Sequence, residues 1–146
     1  MRFSIVQHGG LEYESTVALR DRVLRQPLGL KFTPEQLAAE SNAIHLAGWI
    51  DDQVRACCVL VDREDGWFQA RQVAVDFDFQ RQGYGQQLME FAHQHIVSVG
   101  ADKIYCHARD VAEAFYLRLG YQPVGEYFEE VSIRHVRMEK KLAGGN

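Results

Sequence analysis

The stretch QRQGYG, residues 80–85, lies between an apolar run, VAV at residues 73–75, and a helical pattern that begins QQLMEFAHQHIV. Unpaired backbone N–H groups and the positive end of the helix dipole make a helix N-terminus attractive to anions. Gly83 and Gly85 would let a ligand approach the backbone closely. Side-chain donors accompany the glycines, namely Gln80, Arg81 and Gln82. This pattern predicts a strand, loop and helix that hold a pyrophosphate, although glycines at a tight turn are the simpler alternative.

The familiar phosphate-binding motifs do not fit this loop. A Walker loop needs a lysine after its last glycine, followed by serine or threonine, and a dinucleotide fingerprint needs a third glycine and a ribose-binding acid. QRQGYG meets neither requirement. The sequence therefore gives little support to ATP or NAD as the ligand.

Composition and charge favour a single globular domain. The 146 residues, 47% of them hydrophobic, suit one domain spanning 1–146 with a single core. The formal net charge of -4 argues against a nucleic-acid partner. No stretch approaches the roughly 18 apolar residues that cross a bilayer, and the first residues lack a signal-peptide pattern. We therefore expect a cytoplasmic protein with no membrane partner.

Cysteines and histidines give no sign of a metal site. Cys57, Cys58 and Cys106 are odd in number and form no CxxC pair, which favours free, packed thiols in a reducing compartment. His93 and His95 lie two residues apart on a predicted helix, where they face different directions. We expect no metal.

Hydrophobic periodicity divides the first half of the chain into short elements. A first strand is predicted over residues 3–7 and a helix of about four turns over residues 11–25. Thr33 and Pro34 have the pattern of an N-cap and a first-turn proline for a second, short helix. Three strands separated by polar turns then predict an antiparallel meander, beginning at Ala43, Val54 and Trp67.

The second half alternates helices and strands. Apolar residues at helical spacing predict a helix that Gly100 ends, followed by a short strand over residues 103–106. Asp110 and Glu113 match a capping box for the helix VAEAFYLRL, which Gly120 ends. Residues 131–140 alternate as a final strand should. The second half is therefore α/β in character.

Two motifs together resemble a known superfamily. VAVDFDFQRQGYGQQLM is similar to the acyl-CoA-binding motif Q/R-x-x-G-x-G/A of the GNAT superfamily of N-acyltransferases, and AFYLRLGY is similar to that superfamily's second motif. Their order, with a meander before them, is more specific than either motif alone. LRDRVLRQPLGL and FEEVSIRHVRMEKKL further resemble the ElaA/YjcF-like branch.

This resemblance implies a fold and a cofactor site. The expected fold is a mixed, mostly antiparallel sheet that splays into a V-shaped cleft and is flanked by helices, with acetyl-CoA in the cleft. The implied cofactor-binding residues are Val73, Ala74, Val75, Gln80, Arg81, Gln82, Gly83, Tyr84, Gly85 and Arg109. Arg109 departs from the superfamily pattern, since many members have an asparagine beside pantetheine at this position.

The implied reaction is transfer of an acetyl group from acetyl-CoA to a primary amine by direct attack in a ternary complex. Tyr116 matches the superfamily's general acid, which protonates the departing CoA thiolate; packing against Phe115 and Leu119 is the alternative role. No base activates Cys106 in the sequence, so a covalent intermediate is not favoured. The main alternative function is a non-catalytic acyl-CoA-binding or regulatory module, and a weaker one is a scaffold in which QRQGYG is only a turn.

The acceptor side is less defined. The general base could be one of several residues where the resemblance places the acceptor: Glu126, Glu129, Glu130 or His135. Glu129, Glu130 and His135 could also bind a cationic small-molecule or peptide amine, whereas a solvated acidic edge and a core histidine are the simpler interpretations. His107 is expected to face solvent or support other residues. A final strand open to pairing would also allow a homodimer.

Overall fold

A computed structural model describes residues 1–142 of the chain. The described residues divide into two compact units. The first contains residues 1–61 and 72–92, and the second contains residues 62–71 and the described chain from His93 onward. One domain over 1–146 stays a prediction, and residues 143–146 lie outside the described part.

The first unit carries the amino-terminal helices and the meander. Its apolar core joins residues from both helix and strands: Val6, Leu19, Ala47, Trp49, Val54, Cys57 and Ala74. Apart from the last residue of β3, the following elements lie in this unit: β1 (Arg2–Val6), α1 (Leu11–Arg20), α2 (Pro34–Ala38), β2 (Ile44–Ile50) and β3 (Gln53–Asp62).

The second unit carries the carboxyl-terminal strands and helix. Two further elements run through both units, β4 (Trp67–Val75) and α3 (Tyr84–Ser98). Those that lie wholly in the second unit are β5 (Lys103–Arg109), α4 (Glu113–Arg118), β6 (Gln122–Glu130) and β7 (Ile133–Lys141).

The strands form one seven-stranded sheet in the order β1-β2-β3-β4-β5-β7-β6. β1 with β2, β2 with β3, β5 with β7 and β6 with β7 are antiparallel, whereas β4 and β5 are parallel over Trp67–Ala70 and Lys103–Cys106. Helices flank this mixed, mostly antiparallel sheet, which confirms the predicted fold class.

The first predicted helix continues as a different kind of helix beyond Arg20. A π-helical segment spans Asp21–Arg25 and a 3-10 turn spans Gln26–Leu28, and Gly29 then ends the run with a φ of +69°. The second helix begins as predicted, with Thr33 as its N-cap and Pro34 as its first residue. Gln36 completes a capping box with Thr33.

A buried ion pair connects α1 with the chain beyond α2. The guanidinium of Arg20 is fully buried and donates two hydrogen bonds, of 2.8 and 2.9 Å, to the carboxylate of Glu40. The Tyr13 hydroxyl donates a third, of 2.8 Å, to the same carboxylate. Three donors on one carboxylate hold the two segments together inside the first unit.

The predicted capping box at Asp110 is wrong. Asp110 is already inside a 3-10 turn, Asp110–Ala112, and α4 begins at Glu113 with no side-chain cap. β5 runs to Arg109, three residues beyond its predicted end. An N-cap residue has a non-helical backbone, whereas Asp110 already belongs to the helical turn, so it cannot cap α4. The Glu113 carboxylate instead accepts a 2.6 Å hydrogen bond from the Tyr127 hydroxyl.

The predicted last strand begins two residues too early. Val131 and Ser132, with φ of +48° and +61°, form the two-residue turn between β6 and β7. The predicted strand over residues 131–140 would put Val131, Ile133 and His135 on one face. Val131 instead lies in the turn and shares no strand face with the other two. Strand β6 itself was not predicted, because QPVGEYFEE has neither strict alternation nor an apolar run.

The order of these strands removes the stated basis for a homodimer. The final strand β7 lies between β5 and β6, so it is not open to pairing at the edge. The edge strand is β6, whose register with β7 shifts between Val124 and Phe128 around Gly125. Pro123, next to this bulge, has no backbone N–H to donate. A homodimer stays a prediction without a strand assigned to it.

Within residues 1–142, no helix is both long and apolar enough to cross a bilayer.

Candidate functional site

The loop QRQGYG begins helix α3, as predicted. Gly83 has a φ of +87°, open space surrounds its Cα, and its carbonyl accepts the 3.1 Å hydrogen bond from Gln87 N that starts the helix. The first N–H groups of the helix therefore face out of the loop, where an anion can bind. Arg81 is exposed and also has a left-handed backbone, with a φ of +63°.

Gln80 and Gln82 stabilise the loop from within. Gln80 Nε2 donates to the carbonyl of Val75 over 2.8 Å, and Gln82 Nε2 donates to the carbonyl of Asp78 over 3.2 Å. Both amides are thus engaged with the backbone. They contribute to the shape of the loop, and their contact with a ligand stays a prediction.

The strand before the loop contains an irregularity that the sequence did not reveal. Gln72 has a φ of +53°, which is rare for a residue with a side chain, and its Oε1 is buried with no hydrogen-bond partner among the described residues. Val73, Ala74 and Val75 follow directly and end β4. A buried acceptor without a donor is costly, so this position suits a ligand that brings one.

Asp76, the next residue, anchors the end of the strand. Its Oδ2 accepts hydrogen bonds of 2.8 Å from both Arg22 and Arg55. Arg22 lies in the π-helical segment and Arg55 in β3. Sequence reasoning missed this cluster, since its three members are far apart in the chain and match no motif.

Tyr116 is a buried phenol beside a buried thiol. It is 5% exposed and packs edge-on against Phe115 and Tyr121, with ring centroids 5.0 and 5.2 Å apart. Burial raises the pKa of Cys106 to about 12, and a hydrogen bond with Tyr116 opposes that rise only in part. The phenol is therefore placed to donate to a sulfur atom, while Cys106 itself stays a thiol at neutral pH.

Glu130, His107 and His135 come together at one end of the second unit. Glu130 Oε2 lies 3.4 Å from His107 Nδ1 and 4.0 Å from His135 Nε2. The Phe128 ring packs against both imidazoles, edge-on to His107 and stacked on His135. His107 was expected to face solvent or to support other residues. Its pairing with Glu130 depends on β5 and β6 both flanking β7, which no local motif indicates.

The other candidates do not join this group. Glu126 lies in the β6 bulge and is exposed. Glu129 is exposed and stands opposite Arg134 in the β6–β7 register, on the other face of β6 from Glu130. Arg109 ends β5 and has contacts of its own.

Among residues 1–142, no group of three or more His, Cys, Asp and Glu side chains is arranged to hold a metal ion. His93 is engaged with Tyr121, because its Nε2 lies 2.6 Å from the phenol oxygen.

Comparison with known proteins identifies the family. Residues 31–142 match the acetyltransferase (GNAT) domain, so the chain belongs to the GNAT acetyltransferase family. The matched segment includes the loop, Tyr116 and the Glu130 group. The predicted superfamily is confirmed, and acyl-CoA-dependent N-acyl transfer is the general chemistry of this family.

Individual relatives support the same assignment. An acyl-CoA N-acyltransferase structure from Pseudomonas aeruginosa is 26% identical, with a TM-score of 0.81, over 95% of this chain and 98% of its own. Escherichia coli ElaA shares the fold at 20% identity, with a TM-score of 0.83, over 96% and 99% of the two chains. The uncharacterised N-acetyltransferase YitI of Bacillus subtilis is 22% identical over 90% of this chain and 93% of its own.

Proposed function

We propose that the protein transfers an acetyl group from acetyl-CoA to a primary amine, by direct attack of the amine in a ternary complex. The observation that carries this proposal is the family match, because it spans both the anion-binding loop and Tyr116. The acceptor is a small-molecule or peptide amine, and the protein acts in the cytoplasm.

The cofactor residues follow from the loop and the strand before it. The pyrophosphate binds the N-terminal N–H groups of α3 at Gly83, Tyr84 and Gly85, with Arg81 as an added positive charge. Backbone groups of residues 73–75 bind the pantetheine arm. The partnerless Gln72 Oε1 supports this, since pantetheine carries amide N–H donors. Gln80 and Gln82 hold the loop in shape, and Arg109 is a further contact proposed from the superfamily resemblance.

Tyr116 supplies the proton that the leaving sulfur needs. As the new C–N bond forms and the C–S bond breaks, the phenol donates its proton to the CoA sulfur. A phenol keeps its proton at neutral pH, because its reference pKa is about 10. The contact with Cys106 supports this role, since the hydroxyl already lies beside a sulfur atom.

Direct attack is favoured over a covalent acetyl-cysteine. The pKa of Cys106 is raised to about 12 by burial, so almost none of it is the nucleophilic thiolate at neutral pH. The side chain is also only 3% exposed. The acetyl group therefore passes directly to the amine, with no acetylated enzyme in between.

The acceptor binds near acidic side chains of the second unit. Glu129, Glu130 and His135 are the residues we propose for this role, because a carboxylate attracts the ammonium form of an amine. Glu130 is the best supported of the three, since it stands between two imidazoles.

Calorimetric titration with acetyl-CoA tests the proposal, with ATP and NAD as control ligands. Gly83→Asp places a carboxylate in the proposed pyrophosphate site, and Gly83→Asn places a neutral side chain of the same shape on the same left-handed backbone. We expect the wild type to bind acetyl-CoA selectively, Gly83→Asn to keep most of that affinity and Gly83→Asp to lose it.

Other outcomes point elsewhere. Equal loss in both variants would indicate backbone strain and remove the argument from charge. Binding without thiol release in the presence of amines would favour a non-catalytic acyl-CoA-binding module. If the wild type bound no CoA thioester, the loop would be only a turn.

A further inference from the structure

The proposed reaction needs a base, because an amine is mostly protonated at neutral pH and an ammonium ion cannot attack a thioester. Four candidates came from the sequence, and the structure assigns the role to a fifth residue. We propose that His107 is the general base for the acceptor amine and that Glu130 orients its ring. This inference rests on the proposed N-acetyltransferase function.

The ion-pair geometry selects one tautomer of His107. Glu130 Oε2 lies 3.4 Å from Nδ1, and a negative charge at that distance favours a proton on Nδ1. In the neutral ring the other nitrogen, Nε2, then carries the lone pair. His107 is thus prepared to accept a proton at Nε2, and its side chain, 33% exposed, can be reached by a ligand.

His135 is less suited to the same task. Its Nδ1 donates a 2.7 Å hydrogen bond to the carbonyl of Ile133, and its side chain is only 7% exposed. Its Nε2 already faces Glu130, at 4.0 Å. A ring fixed and covered in this way is less able than His107 to take a proton from the amine.

The carboxylates are also weaker candidates than imidazole. A general base works best when it titrates near the working pH, and imidazole as a group does so more closely than a carboxyl group. Glu130 would also lose its orienting role by binding a proton itself. The pair divides the work, with the imidazole as base and the carboxylate as its positioning group.

The surroundings hold the His107 ring in place. The Phe128 ring packs edge-on at a centroid distance of 5.1 Å, and the Tyr105 ring lies 5.9 Å away. The charged and titratable groups on its side include Glu130 from β6, His135 and Arg137 from β7, and Tyr105 and Arg109 from its own strand. Arg137 is paired with Glu139 over 2.7 Å, so its positive charge is partly balanced.

The proton balance of the reaction closes with these residues. His107 Nε2 takes one proton from the bound ammonium, and the neutral amine that results attacks the thioester. The nitrogen loses its second proton to solvent as the C–N bond forms. The C–S bond breaks, and Tyr116 gives its proton to sulfur. His107 then releases its extra proton to solvent, to which its side chain is partly open, and the phenolate of Tyr116 is reprotonated from solvent.

The test measures thiol release from acetyl-CoA with spermidine, benzylamine and the peptide Ala-Gly-Gly as acceptors, from about pH 6 to about pH 10. We expect His107→Gln to lower kcat/KM for the amine by about 10²–10³-fold near pH 7. This deficit should shrink as the pH approaches the pKa of the amine, about 10 for a lysine-like group, because the amine then loses its proton unaided. His95→Gln, a histidine change on α3, is the control and should leave the profile unchanged.

A second measurement addresses Glu130. Ring ¹⁵N shifts should show the Nδ1–H tautomer of His107 in the wild type and a loss of that preference in Glu130→Gln, which should also lower kcat with acetyl-CoA affinity retained.

Three results would overturn the inference. Full activity of His107→Gln would exclude a base role, and an equal loss at every pH would show a structural one. An Nε2–H tautomer in the wild type would remove the free lone pair. Failure of the proposed function looks different, because the wild type itself would then release no thiol with any of the three amines.

Discussion

At the scale of single residues, two buried phenols in the second unit have different surroundings. Tyr116 lies beside the thiol of Cys106, whereas the hydroxyl of Tyr121 lies 2.6 Å from His93 Nε2. They are 5% and 0% exposed and pack against each other. The pair therefore offers a comparison in which the same atom is removed from two neighbouring sites.

Tyr116→Phe should remove the proton donor for the leaving sulfur. We expect kcat to fall by about 10²-fold or more, the usual contribution of a general acid, while acetyl-CoA affinity measured by calorimetry stays within about twofold. Thiol release under saturating acetyl-CoA measures the first quantity.

Tyr121→Phe is the matched control. It also removes one buried hydroxyl, so the loss of stability should be similar, about 1 kcal/mol, but turnover should persist. Unchanged turnover in Tyr116→Phe would leave Tyr116 with a packing role only.

Glycines were easier to predict at this scale than other left-handed residues. Gly83, Gly100 and Gly120 all have positive φ, at the positions where the sequence predicted a turn or a helix end. Gln72, Arg81 and Val131 also have positive φ. Their conformations depend on strand pairing and loop closure, which residue type alone does not indicate.

At the scale of elements, the ion pair between Arg20 and Glu40 stabilises the position of α1. Burial alone would raise the pKa of Glu40, but the hydrogen bonds and charge of Arg20 outweigh it and hold that pKa below the ordinary value. The stabilisation this gives is complete above the ordinary glutamate pKa of about 4.3. It is lost as the pH falls through the lower pKa of the folded state.

Glu40→Gln should cost about 3 kcal/mol of unfolding free energy at neutral pH, because it leaves the buried Arg20 charge without its counterion. Urea unfolding of both proteins measures the difference, which should shrink from about pH 6 to about pH 3 as Glu40 itself becomes protonated.

Glu35→Gln, an exposed change in the neighbouring helix α2, should cost little at any pH. A cost for Glu40→Gln that did not vary with pH would contradict the assignment of the stability to charge.

Element types were mostly predictable, and their ends were not. The meander strands, the N-cap at Thr33 and the helix after QRQGYG follow from local pattern. The π-helical segment after Arg20 brings Arg22 to Asp76, a long-range contact that local periodicity cannot encode. β6 escaped prediction for a related reason, since it is almost wholly exposed and so lacks an apolar face.

At the scale of the whole molecule, all three cysteines are buried and none forms a disulfide. Cys57 and Cys58 are neighbours in β3, so they point to opposite faces, and each is 1% exposed because both faces are covered. Cys106 in β5 is 3% exposed. Burial raises the pKa of Cys57, like that of Cys106, to about 12.

We therefore expect fewer than one thiol per chain to react with a disulfide reagent in the native protein, and all three after unfolding. The measurement is a colorimetric thiol count with and without guanidinium. One fast-reacting native thiol, traced to Cys106 by a Cys106→Ala variant, would reopen the covalent route.

The candidate site was predicted unevenly across the molecule. The loop and Tyr116 lie in contiguous motifs, so the sequence was enough to select them. His107 and Glu130 belong to strands that flank β7, and their proximity is a property of strand order. Chemistry that depends on such order becomes visible only once the sheet is known.

Strand β6 has one more consequence, for the behaviour of the protein at high concentration. An open sheet edge can seed fibrils by adding strands from other molecules. Pro123 has no backbone N–H to donate, and the bulge at Gly125 interrupts the edge. If copies of β6 stacked in register, Glu129 and Glu130 of each chain would lie beside the same carboxylates of the next chain and repel them. We therefore expect this end of the sheet to be a poor seed for fibril growth.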